Sequence, residues 1–584
     1  MATYIIAASG GDYTTFAALV AAVNLAGNDV VEFRAATVGS TATFDERIAP
    51  DASGTAGNAI TIRGRYGDII TIRGVNGGGF DYYNLYNIRI EHTSASNNYS
   101  QLLLTNCTNW LIQGVTFGPS YQSAVTATAG AHNNTFRACT FVDTSIIAAG
   151  AGEGIVLHMI GDDNLIEYCS VGRSLDRYRF WGDNNRIRNT FLGATDTADY
   201  PDTISQVPFH IDDLQTYENA GNLLTQTLYE CNFSIDNEDS VGATNGHATN
   251  MQDDDDTGFN HIVFRFNIWA RVAGSLFDFQ NFNNVYIRNN TFAQINHGSA
   301  SNFRTTGTWD LDTGAPQTSD IADVRNNLWY NCPRCLDTDS LLSSDWRPTN
   351  FTSGTNAARN PTGNQSVLMS GASPANLPQD DPVLNDPDND DYSLDATSPL
   401  IGEGSTLVVS VGAGTDSVSL TVNNSLTIWA DDLIKIGSGS FIRVSSVNYS
   451  THVVTLATAD TWTDGETVVV KGEEDVGACP YDYYNDGVTI TLVNTSLPSG
   501  ANNLTATVSD EDAVRKVEYL VDGIPVGSSM VSPYTVAYTA DGDSHIVTAR
   551  LYKQWASAVP YVDDERELLV SPVYRSGGFL LTPV

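Results

Sequence analysis

The chain has 584 residues, 41% hydrophobic and 10% aromatic, enough for a large core and incompatible with wholesale disorder. Its 68 acidic and 29 basic residues give a net charge of −39, which repels nucleic acid and anionic membrane surfaces. Lysine occurs only at Lys435, Lys471, Lys516 and Lys553, so a lysine base or Schiff base is excluded from the first 434 residues. No apolar run approaches the roughly 20 residues of a membrane span, and no basic segment precedes the first apolar stretch. Neither membrane insertion nor a signal peptide is expected. An extracellular or virion-associated location is expected, reached by another export route, on a virion, or after removal of a leader. The seven cysteines are irregularly spaced and do not read as a disulfide framework.

In chain order, Gly10-Gly-Asp-Tyr-Thr-Thr-Phe16 leads into a short amphipathic stretch ending near Leu25, expected to cap the first turn. From residue 87, short β-type segments open with Asn and close on an aromatic, as in Asn109–Phe117 and Asn185–Phe191. Through Phe117, Phe141, Val171, Phe191, Phe233, Trp269, Phe292 and Trp329 the steps are 24, 30, 20, 42, 36, 23 and 37 residues. That series is a turn of 20–24 residues with insertions. Two positions before each anchor stand Val115, Cys139, Cys169, Asn189, Cys231, Asn267, Asn290 and Asn327. In a parallel β-helix such positions stack at about 4.8 Å, where Asn side chains form a ladder and small residues pack on their own kind. The three cysteines of this column are therefore interior packing residues. Cys332-Pro-Arg-Cys335, past the last clear turn, reads as a loop thiol pair or a surface disulfide rather than a metal site. Residues 404–472 alternate with period two and read as an inserted small β-barrel or sandwich. Residues 487–584 have the length and strand pattern of one immunoglobulin-like sandwich. Its coil contacts are expected to be those of a separable module, dispensable for chemistry.

These features resemble the right-handed parallel β-helix proteins that act on polysaccharides: pectate lyases, the chondroitinase-B and alginate lyase group, polygalacturonases and phage tailspikes. Gly54-Thr-Ala-Gly-Asn-Ala-Ile-Thr-Ile-Arg-Gly64 resembles the segment that begins such coils, and Asp391–Ile401 resembles their last strands. The usual continuation follows only at Asp475-Val-Gly-Ala-Cys-Pro-Tyr-Asp-Tyr483. The expected chain is all-β: a right-handed parallel β-helix over 1–403 closed by 473–486, the insertion, and the C-terminal sandwich, which resembles bacterial immunoglobulin-like domains. A tailspike-like chain would form a homotrimer.

Insertions in repeats mark loops on one face, often the binding face. The longest gaps flank residues 191–233, 233–269 and 292–329, and the strands between them are unusually polar. His158, Arg179 and Asp278 each lie six residues before the anchoring Asn of their turn, which suggests one shared column. Setting Leu214 against Met251 as inward-facing puts Asp213 and Gln215 beside Asn250 and Gln252. The expected groove carries Asp213 as a catalytic carboxylate, Asp254 or Asp278 as its partner, and His210 positioning one of them. Arg179, Gln215, Gln252 and His158 would hold sugar, with Trp181, Tyr178 and Tyr217 as stacking faces. Asp212 and Asp253 are candidate calcium ligands. His210-x-Asp-Asp resembles a stretch found in several polysaccharide-acting β-helices. Asp386-x-Asp388-x-Asp390 has calcium-loop spacing but lacks the Gly and terminal Glu, so it reads as a turn.

Three functions fit this groove. A glycoside hydrolase needs carboxylates about 5–5.5 Å apart for retention or about 6.5–9.5 Å for inversion, and no cofactor. Asp213 with Asp254 would suit the first, and Asp213 with Asp278 approaches the second. The polygalacturonase pattern is absent: there is no Asn-Thr-Asp, Gly-His-Gly or Arg-Ile-Lys. A polysaccharide lyase acting on a uronate would use an Arg, His or Tyr base (Arg179, His158 or His210) with calcium on the Asp cluster, because a lysine–arginine pair cannot exist in this coil. A non-enzymatic tail fibre or adhesin would bind glycans along the same groove. The hydrolase reading is taken first and the lyase second.

Overall fold

The computed structural model describes residues 1–92, 99–120, 123–142, 155–174, 176–193, 195–196, 212–217, 224–238, 247–252, 259–272, 275–279, 282–294, 303–305, 321–330, 350–353, 357–359, 382–406, 408–480, 487–496, 498–541, 543–557 and 559–568. Of Tyr217, Asn250, Gln252, Asp278 and Arg304 it describes only the backbone.

Three strands per turn build a parallel β-helix. In one turn they are Ile155–Ile160, Leu165–Glu167 and Ser170–Val171, and each pairs in parallel with its equivalents above and below. Helix Phe16–Ala22 caps the first turn. Thr15 accepts from the Ala18 N–H at its start, and Phe16 and Leu19 bury against the coil.

Inside, equivalent positions stack on one another. Asn232, Asn267, Asn290 and Asn327 form the expected ladder. Each backbone N–H donates to the next Asn Oδ1 at 2.9–3.0 Å, and each buried side-chain amide to a main-chain oxygen at 2.8–3.1 Å. Removing one rung leaves several buried groups unmatched, at roughly 1–3 kcal/mol each. Cys139 and Cys169 occupy the same column one and two turns after Val115. Two members of the expected column are corrected. Phe191 pairs with Ser170 and Phe233 with Phe191, so the column passes through Thr190 and Asn232, not Asn189 and Cys231. Counting back from an aromatic fails there because the aromatic is the first residue of its short strand, not the second.

Asn189 and Cys231 instead occupy the corner between the second and third strands. Ala138, Tyr168, Asn189, Cys231, Phe266, Asn289 and Asn326 all sit there with φ between 49° and 56°. One left-handed residue per turn makes the corner sharp, and Asn tolerates that conformation best among the non-glycines.

Two antiparallel units dock on this corner and on the outer face of the second sheet. Five strands, Gly414–Thr421, Leu433–Ile436, Ile442–Asn448, Val453–Trp462 and Val468–Val470, form the inserted unit. The C-terminal unit is a sandwich of a three-stranded and a four-stranded sheet between Ile490 and Leu568. Corner amides bind both: Asn189 Nδ2 reaches the Lys553 and Gln554 carbonyls, and Asn289 Nδ2 that of Gly472 at the end of the insertion. Beneath them, one outward position of the second sheet reads Gln113, Arg137, Glu167, Arg188, Glu230, Arg265, Arg288 and Arg325 on successive turns. The sandwich meets this ladder with Arg515 (3.4 Å from Glu230), Lys516 (3.3 Å from Glu167) and Glu518 (3.3 Å from Arg137). The insertion contributes Asp432, 2.6 Å from Arg265. Nearly all these groups are buried, and removing one partner of such a pair costs about 3–5 kcal/mol. Charges that would face water in an isolated coil are thus paired with groups of the docked units.

Acid should loosen this junction. Burial pulls the His261 imidazole down from 6.5 to about 4, and its Nε2 donates to the Leu426 carbonyl of the insertion at 2.6 Å. Burial favours a neutral Glu230, but Arg265, Arg515 and Arg188 hold it down to about 2. Above pH 6.5 His261 is neutral folded or unfolded. As pH falls from 6.5 to 4 only the unfolded chain takes up its proton, which removes on the order of 3 kcal/mol. Glu230 extends the loss below 4.5, where the unfolded carboxylate protonates first. Thermal melting across pH 7.5–3.5 should show this decline, and His261→Gln should flatten its upper part.

Candidate functional site

The first sheet carries an outward column in strict register. Thr126 pairs with His158, His158 with Arg179, Arg179 with Gln215, Gln215 with Asn250, Asn250 with Asp278, and Asp278 with Arg304. Flanking residues Leu157, Met159, Tyr178, Phe180 and Leu214 are buried in the core, so alternation turns His158, Arg179 and Gln215 outward. The structure thus brings His158, Arg179, Gln215 and the backbone of Asp278 together at successive rungs about 4.8 Å apart. Asn250 and Arg304 complete the row. The pairing of Leu214 is corrected: it meets Thr249, and Met251 lies opposite Thr216, a shift of two residues. A two-residue shift preserves which face each side chain takes, so Gln215 still faces out. Tyr217 pairs with Gln252 two residues further along these strands.

A second row lies three residues earlier in each strand. Asp176, Asp212, His247 and Ser275 are paired neighbours. Asp176 accepts from Arg179 Nη2 at 2.6 Å, and Asp212 accepts from Gln215 Nε2 at 3.0 Å. Arg179 is 5% exposed and held by an anion from its own strand, with one edge of its guanidinium committed.

Asp213 is not on this face. Its carboxylate is wholly buried. One oxygen pairs with Arg177, also wholly buried, and the other accepts from the Trp269 indole N–H at 3.0 Å. Arg177 also donates to the Ser234 hydroxyl at 2.9 Å and to the Gly193 carbonyl. The reason lies in the interior column that holds Phe117 and Phe141. Two turns on from Val171 that column carries Ser234, directly beneath Trp269. The missing aromatic leaves room for a guanidinium, which then requires an anion. The sequence signal was available: Ser234 follows Phe233 at the inward position of the third strand.

Tyr178 and Trp181 are corrected as stacking faces. Tyr178 belongs to the core, where burial pushes its phenol well above its ordinary value, and Trp181 is wholly buried with its ring 5.2 Å from the His158 ring. Asp212 is buried and engaged by Gln215. Among the described residues no three His, Cys, Asp or Glu side chains gather as a metal site. His210, Asp253, Asp254, Cys332 and Cys335 lie outside the described residues, as do the side chains of Tyr217, Gln252 and Asp278. Asp390, at the end of the Asp386–Asp390 stretch, pairs with Arg271 beside a single 3-10 turn. No described helix is long and apolar enough to cross a membrane.

Comparison with known proteins gives the following. Residues 483–549 match the family described as a bacterial Ig domain. No curated protein sequence matches the chain. Among solved structures, an alginate lyase from Paenibacillus sp. str. FPU-7 is 17% identical, covering 55% of this chain and 93% of its own at a TM-score of 0.31. A PL6 family polysaccharide lyase from Pseudopedobacter saltans is 11% identical, covering 64% and 97% at 0.36. The tailspike of E. coli bacteriophage HK620, in a mutant bound to a pentasaccharide, is 11% identical, covering 76% and 81% at 0.28.

The burial of Asp213 leads to a prediction. Asp213→Asn should lower stability by about 3–5 kcal/mol, because it removes the charge of one member of a wholly buried ion pair. Chemical denaturation measures this. At temperatures where the variant stays folded, turnover should remain near wild type, as expected for a structural ion pair.

Proposed function

We propose that the chain depolymerises a polysaccharide lying along the first sheet, by β-elimination at a uronate unit. The supporting observation is the register itself: His158, Arg179, Gln215, Asn250, Asp278 and Arg304 stand at one strand position on consecutive rungs of the first sheet. Packing gives no reason to collect such groups at one position, which supports a ligand-binding role for this face. The burial of Asp213 against Arg177 removes the carboxylate on which a hydrolytic pair was built.

The chemistry needs a cation at the sugar carboxylate and a base at C5. Arg179 supplies the cation. His158, one rung away, supplies the base, since the coil contains no lysine. The C5 proton passes to His158, its electron pair forms the C4–C5 double bond, and the C4–O bond breaks with the leaving oxygen taking a proton. Gln215 and Asn250 orient neighbouring sugars.

The assay is a panel of uronate-containing and neutral polysaccharides, read by ultraviolet absorbance of unsaturated ends and by reducing sugar. Elimination produces both signals on a uronate polymer, and Arg179→Ala should lower the rate by about 10²–10⁴. Reducing ends without absorbance would favour hydrolysis. Binding without either signal would make the chain a glycan-binding fibre.

A further inference from the structure

A cleft of about 230 Å³ lies between the coil and the C-terminal sandwich, away from the first-sheet column. Its coil wall includes Tyr66, Asn87, Gln113, Thr116 and Thr140, and its sandwich wall includes Arg550, Tyr561, Asp563 and Glu565. The walls are held in place. Asn87 donates to the Gly523 carbonyl at 3.2 Å, and a Cβ on Gly523 would lie 2.3 Å from the Asn87 amide, so only glycine permits this approach. Tyr66 donates to Glu565 across the cleft.

The lining has the chemistry of sugar recognition. Arg550 stacks 4.3 Å over the Tyr561 ring and is fixed by two 2.8 Å bonds to Asp563. The hydroxyls of Thr116 and Thr140, on adjacent rungs, make no hydrogen bond among the described residues. Gln113 is 2% exposed. Its amide nitrogen donates to Glu518 at 2.6 Å, while its Oε1 is buried with no donor. A buried acceptor without a donor costs about 1–3 kcal/mol, and a hydroxyl-bearing ligand beside it would relieve this cost. Two carboxylates against one guanidinium leave the cleft acidic, which disfavours an anionic sugar. At this volume, below the roughly 300–1,000 Å³ of sites for drug-sized ligands, it admits one or two rings.

We propose that this cleft is a second, non-catalytic binding site for a neutral hexopyranose unit. It anchors the protein to a neutral glycan while the first-sheet face works on its own polymer. The site is independent of the depolymerase reading, since none of its residues lies in that column.

The test uses the full chain and ligand-observed NMR with methyl glycosides of glucose, galactose and mannose, and with glucuronate as the anionic probe. At least one neutral glycoside should bind and glucuronate should not. Thr140→Trp, which fills the cleft, should weaken binding at least tenfold, and Glu565→Gln should weaken it severalfold if the larger side chain prevents folding. Depolymerisation should be unchanged in Thr140→Trp, and Arg179→Ala should bind the glycoside like wild type. Absence of binding by all three neutral glycosides, preferential binding of glucuronate, or binding undiminished by both cleft variants would overturn the proposal. A failure of the groove reading would leave these results intact.

Discussion

Parallel stacking in register is the constraint on which the rest of the molecule depends. Each turn must place its strands about 4.8 Å above the last, so a residue at a given position meets its own equivalents and almost nothing else. A column must therefore be chemically self-compatible. Inside, amides satisfy one another from Asn232 to Asn327. At the corner, left-handed residues repeat from Ala138 to Asn326. On the second sheet, acids and arginines alternate through Arg137, Glu167, Arg188, Glu230 and Arg265.

The charged column explains why a coil would carry two additional units. Alternation holds only as far as Arg265. Beyond it Arg288 and Arg325 continue the row, and three stacked guanidinium groups repel one another. Asp323 answers from within the coil, Asp432 from the insertion and Glu473 from the segment that closes it. Earlier in the row, Glu167 and Glu230 accept Lys516 and Arg515 from the sandwich. Burial would neutralise Glu167, yet Lys516, Arg137 and Arg188 together hold it well below the usual carboxylate range. The docked units complete the electrostatics of the coil, and their positions follow from where the row lacks a counter-charge.

Much of this could be read from the sequence, because repetition makes columns visible as spacing. The Asn column, the placement of Cys139 and Cys169, and the shared column of His158, Arg179 and Asp278 all follow from counting within turns. The errors arose where one turn departs from its neighbours. Phe191 and Phe233 are first in their strands, which displaced the column by one residue and misplaced Cys231. Ser234 interrupts the aromatic stack, and the space it opens draws Arg177 and Asp213 inward, contrary to the alternation that put Asp213 on the groove. The charged row was equally visible, as an Arg, Glu or Gln closing each second-sheet strand. Its meaning required the partners, Arg515, Lys516 and Asp432, which lie more than 160 residues further along the chain than the coil residues they meet.

The proposed function rests on a polymer lying along the His158–Arg179–Gln215 column of the first sheet. A crystal structure of Arg179→Ala with a bound oligosaccharide from the cleaved polymer tests this most directly. Sugar rings should run parallel to the coil axis, over the rungs from Thr126 to Asp278, with a uronate carboxylate facing the vacated guanidinium position. Rings bound across the third sheet, or only on the sandwich, with the first-sheet column empty, would contradict it.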